Sequence, residues 1–79
     1  MKITIKTRIN DLIESYPFLA DFLAEYNSRY ELLKSKVLRE TVGRFATIKK
    51  ASVMGGVNVN DLLAVIKGEI EKRTGIKIE

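Results

Sequence analysis

The chain has 79 residues, with 14 Lys and Arg against 10 Asp and Glu and no histidine, so its formal net charge is +4. Hydrophobic residues make up 46% and charged residues 30%, with one proline and no low-complexity tract, which excludes disorder and fibre and fits one folded domain over residues 1–79. The absence of Cys and His removes disulfides, zinc sites, thiol nucleophiles and imidazole bases at once.

At the N-terminus, Ile3 and Ile5 alternate with Lys2, Thr4 and Lys6, and at the other end Ile76 and Ile78 alternate with Lys77 and Glu79. The two ends either pair as a short two-stranded ribbon or lie as extended tails over the core. Residues 1–6 are too short for a signal peptide, and no apolar run approaches the roughly 20 residues of a membrane span, so the expected location is the cytoplasm. From Thr7 the period becomes helical: Ile9, Leu12, Ile13 and Tyr16 share one face, with Thr7 or Arg8 as N-cap. Pro17 ends this helix and starts the next, because it steers its predecessor out of the α region yet is tolerated in a first turn. Phe18, Leu19, Phe22, Leu23 and Tyr26 form the second face, and Asn27 in a left-handed conformation is expected to close it.

Tyr30, Leu32 and Leu33 then indicate a short helical turn, and Val37, Leu38, Thr41, Val42 and Phe45 a further apolar face of about two turns, ending near Gly43. Thr47 caps a short helix carrying Ile48, Ala51 and Met54, stopped by Gly55-Gly56. Asn58 caps the last helix, Val57 and Leu62 occupy the positions of a hydrophobic staple, and Val59, Leu62, Leu63, Ile66 and Ile70 form the buried stripe. Glu69 and Arg73 are an i,i+4 pair, and Gly75 lies past the end. Gly68, in the helix interior, costs about 1 kcal/mol relative to alanine, and close approach of a neighbouring helix is the expected reason for it. The start Ile9-Asn10-Asp11-Leu12-Ile13 echoes Val59-Asn60-Asp61-Leu62-Leu63, a shared grammar of helix starts with no fixed repeat period. The fold class is therefore all-α, a compact array of about five short helices, with the paired ends as a minor addition.

No acidic residues show the spacing of a metal loop, and Gly55-Gly56 lacks the further glycine and lysine of a phosphate loop. A helix-turn-helix reading aims the start of the last helix at base edges, but Asp61 there repels phosphate. Neither catalytic nor metal residues, nor any cofactor, are assigned. The charge is informative by location. Residues 1–30 carry four basic and four acidic side chains, and residues 55–79 do the same; the excess lies in Lys34, Lys36, Arg39, Arg44, Lys49 and Lys50 against Glu31 and Glu40. Lys49 and Lys50 sit in a first helical turn, where the macrodipole disfavours cations by a few tenths of a kcal/mol, while free backbone N–H groups at such an end favour anions. These six side chains are the candidate anion or partner patch. Tyr26, Tyr30 and Phe45 are a candidate pocket or interface.

With those motifs laid out, the chain resembles the small bacterial and archaeal helical family of the domain of unknown function 1858, which is related to the N-terminal domain of iron–sulfur cluster repair proteins. The resemblance rests on Ile9-Asn10-Asp11-Leu12-Ile13-Glu14-Ser15-Tyr16-Pro17, on Val37-Leu38-Arg39-Glu40-Thr41-Val42-Gly43-Arg44, on Ala46-Thr47-Ile48-Lys49-Lys50-Ala51 and on Gly55-Gly56-Val57-Asn58-Val59-Asn60-Asp61-Leu62-Leu63. It implies an array of short helices, found alone or appended to other domains. Some members carry a redox cysteine pair that would fall near residues 28–33. This chain has no cysteine, so that chemistry does not carry over.

A domain this short buries only about 60 to 65% of the surface its unfolded chain exposes, so packing or self-association must supply its stability. The expected function is a non-enzymatic protein-interaction module that self-associates, as a homodimer, or docks a protein partner. The alternative is nucleic-acid or anion binding through residues 31–54, and a third reading is a small-ligand pocket at Tyr26, Tyr30 and Phe45.

Overall fold

The computed structural model describes residues 2–41 and 46–78, and among these the chain is helical with no named strand. In order come α1 (Ile9–Ser15), α2 (Phe18–Tyr26), a 3₁₀ helix (Ser28–Lys34), α3 (Lys36–Thr41), α4 (Ile48–Gly55) and α5 (Val59–Thr74). The chain leaves α1 through Tyr16, held at φ −133° and ψ 80° ahead of Pro17. Asn27 differs from expectation. It is extended, at φ −151°, and its side chain accepts from the Arg29 N–H, so it opens the 3₁₀ helix instead of closing α2 with a left-handed turn.

The 3₁₀ helix runs for seven residues, long for its kind. Three residues per turn stack Tyr30 directly above Leu33, and both are buried. It packs mainly on α2 and also touches α3 and α4. In α3 the apolar face is reversed relative to expectation: Val37 is 71% and Leu38 45% exposed, while Arg39 is only 7% exposed. The cause is a pair of bonds. Arg39 Nη1 donates to the Leu33 carbonyl at the end of the 3₁₀ helix (2.8 Å), and its Nε donates to Asn10 Oδ1 on α1 (2.7 Å). Two charge-assisted bonds, each worth about 1.5–3 kcal/mol, offset the burial forgone by one valine and one leucine of similar worth. Val42, Gly43, Arg44 and Phe45 lie outside the described residues.

The ends do not pair with each other as a ribbon among the described residues. Ile3 and Ile78 are buried against the helical core, and Ile76 is exposed, so the alternation marks tails laid over it. The Ile78 N–H donates to Glu71 Oε2 (2.8 Å) and fastens the C-terminal tail to α5. The backbone pairing that does form is elsewhere: residues 5–9 run antiparallel to 46–49 through Ile9 N to Ala46 O, Ile48 N to Thr7 O and Lys49 N to Ile5 O (2.8–3.0 Å).

Helices α4 and α5 follow the local capping rules. Thr47 accepts from Lys50 N, Asn58 accepts from Asn60 and Asp61 N, and Gly56 and Gly75 adopt φ of 68° and 72°. Val57 N to Ser52 O and Gly56 N to Val53 O complete a Schellman turn between them. Leu62, Ile66 and Ile70 of α5 are fully enclosed, with Val59 and Leu63 partly so. Arg73 pairs with the buried carboxylate of Glu69 (2.8 Å) and lies over the Phe18 ring at 5.3 Å, tying α5 to α2. Gly68 is a correction: a Cβ there would meet nothing within 4 Å, so no helix approaches it, and nothing in the structure explains the glycine.

Candidate functional site

The last turn of α4 presents orphan carbonyls, and each acquires a donor. Ser52 and Val53 are satisfied by the Schellman turn just described. Met54 O accepts from Arg29 Nη1 (3.4 Å), and Gly55 O from Asn27 Nδ2 (2.9 Å). One turn back, Ala51 O accepts from the buried Tyr30 hydroxyl (2.6 Å). The start of the 3₁₀ helix therefore caps the end of α4 with three side chains, and the Arg29 cation stands at the negative end of the α4 dipole. Gly55 is required by this approach, because a Cβ there would land on the Tyr30 phenol, 2.6 Å from Cζ, and a buried, bonded ring has nowhere to move. Burial, with a smaller contribution from Tyr26, pushes the Tyr30 phenol above its ordinary value of 10.0.

Beside this junction lies a small apolar recess, with free room for about one water-sized or methyl-sized group. Ile9, Tyr30, Leu33 and Ala51 are its buried wall, and Arg29, Leu32, Ala46 and Met54 stand nearer the mouth. Met54 is 42% exposed, and Val53, next to it on α4, 75%. No Asp or Glu lines the recess among the described residues.

Of the six basic side chains expected to form a patch, the five described ones do not all face solvent. Arg39 is internal, as described above, and is corrected to a structural pin between α1, α3 and the 3₁₀ helix. Lys34 lies between Asp21 (4.0 Å) and Glu31 (3.5 Å). Arg44 lies outside the described residues, and Lys36, Lys49 and Lys50 are exposed, as is the paired Lys34. The anion-binding end of α4 is also corrected: its first three N–H groups are taken by Thr7 O, Ile5 O and Thr47 Oγ1. Of the pocket trio, Tyr30 lines the recess, Tyr26 does not, and Phe45 lies outside the described residues. Tyr26 stacks on Phe22 of α2, 6.4 Å between centroids.

Asn27, Arg29 and Gly55 were legible only in part. Asn-Ser is a fair helix-start signal, but it follows an apolar face so closely that it reads equally as a helix end. Arg29 falls in the charge-balanced first thirty residues, so its position at the α4 end is visible only once the chain has folded.

Among the described residues no helix is long and apolar enough to cross a membrane. A family model described as "Domain of unknown function (DUF1858)" matches residues 3–63. No curated protein and no solved structure matches the chain.

Proposed function

The chain belongs to the family of the domain of unknown function DUF1858, and we propose that it is a non-enzymatic protein-interaction module, self-associating or docking a partner through the recess between the 3₁₀ helix and α4. The observation that supports this reading is the apolar recess with Met54 at its mouth and Val53 exposed beside it. Val53 and the outer part of Met54 face solvent, and apolar side chains exposed beside a concave apolar wall fit a docking surface. Anion or nucleic-acid binding has less support, since the first N–H groups of α4 are used and, of the four cations of the expected patch that stand exposed among the described residues, Lys34 is already paired with carboxylates.

Sedimentation equilibrium and extract capture, each run on the native chain and on Val53→Asp with Met54→Asp, test the proposal. The expected result is a mass above the 9.0 kDa monomer, or a captured protein, that the double variant loses while keeping its helical circular dichroism. A native chain that stays monomeric and captures nothing more than the variant does would contradict it.

A further inference from the structure

We infer that the occupant of this recess is an acidic segment of another protein that seats the tip of one apolar side chain in it, an inference that rests on the docking reading above. The wall is apolar and shallow, so it offers a place for the end of one side chain and no polar groups to orient a small ligand. The mouth is cationic. Arg29 lines it, with its guanidinium held in position by Met54 O. Lys50 is exposed one turn before Met54 on the same face of α4, and Lys49 stands beside it.

Among the described residues no carboxylate lines the recess. Helix α4 contains no Asp or Glu. Glu31, the acidic residue next along from Tyr30, is engaged with Lys34. A second copy docking about a two-fold axis at this face would bring Arg29 and Lys50 against their own counterparts, like charge on like. A nucleic acid would gain little from an apolar wall, and the α4 N–H groups that would hold a phosphate are already bonded. Carboxylates flanking an apolar side chain fit the charge and the shape together.

Two designed helical peptides with the same leucine stripe, one bearing glutamates and the other lysines on the remaining face, serve as probes in fluorescence anisotropy. The acidic peptide is expected to bind at least about tenfold more tightly at low ionic strength, with the preference shrinking as salt rises. Arg29→Glu with Lys50→Glu should reverse the preference. Lys50→Glu alone, which places an anion at a helix N-terminus and so favours folding, should at least halve it if the double variant does not fold. No binding of the acidic peptide, equal binding of both, or a preference untouched by charge reversal would overturn the inference. A dimer broken by Met54→Asp, with neither peptide bound, would leave the docking reading standing and remove the acidic partner. If Met54→Asp changed neither association nor peptide binding, both would fall.

Discussion

Tyr30 carries two duties that its position in the sequence does not announce. Its ring fills the wall of the recess, and its hydroxyl satisfies Ala51 O on the far side of the 3₁₀ helix contact with α4. Because the folded phenol titrates above its unfolded value, folding favours the protonated form. The stability this contributes is complete below the ordinary phenol value of 10.0 and is lost as pH rises from there through the folded value. Tyr30→Phe removes that titration. Its stability measured by urea should fall less steeply above pH 10.0 than that of the native chain, while at neutral pH the lost hydrogen bond lowers it by about 1 kcal/mol. Equal alkaline slopes would assign the effect to other groups. Gly68 gives the opposite kind of test. With open space around it, Gly68→Ala should raise stability by about 1 kcal/mol, about 4–8 °C in the melting temperature of a domain this size.

At the scale of elements, capping chemistry separated what was readable from what was not. Thr47, Asn58, Gly56 and Gly75 act within a few residues of themselves, and α4 and α5 start and stop where those residues placed them. The echo between Ile9 and Val59 is likewise real: each is the first residue of its helix. Helix α3 was misread because its preferred face depends on partners far along the chain. Apolar periodicity favours turning Val37 and Leu38 inward, but Asn10 and Leu33 O offer two acceptors to Arg39, and six residues of helix hold too little apolar area to resist. Arg39→Met should therefore cost about 2–3 kcal/mol, leaving the Leu33 carbonyl without its donor, and should lower the melting temperature by roughly 8–24 °C. A change under about 0.5 kcal/mol, the range of an ordinary surface site, would show that the guanidinium does not pin these elements.

For the whole molecule, the +4 balance first points to one basic middle segment, and the fold redistributes it. Arg39 goes inside and Lys34 is paired, while Arg29, from the neutral part of the sequence, joins Lys50 at the mouth of the recess. The antiparallel pairing of residues 5–9 with 46–49 also takes the N–H groups that an isolated α4 would offer to anions. Charge segmentation along the chain cannot register either event, because the Arg39–Asn10 and Arg29–Met54 bonds and the pairing of residues 5–9 with 46–49 join parts of the chain that only the fold brings together. Most of the core is legible in the period: Leu12, Leu19, Leu23, Ile48, Leu62, Ile66 and Ile70 are all buried, whereas Tyr26 and Met54, which share the same apolar faces, are exposed. Of the site, the sequence singles out Tyr30 in the wall and Lys49 and Lys50 beside the mouth, but not Arg29 or Gly55. Amide chemical-shift mapping of the native chain, titrated with the acidic leucine-striped peptide, bears on the docking claim most directly. Shifts centred on residues 29–33 and 51–54 are the expected result, and shifts confined to α5 or to the surroundings of Lys36, with those amides unmoved, would contradict it.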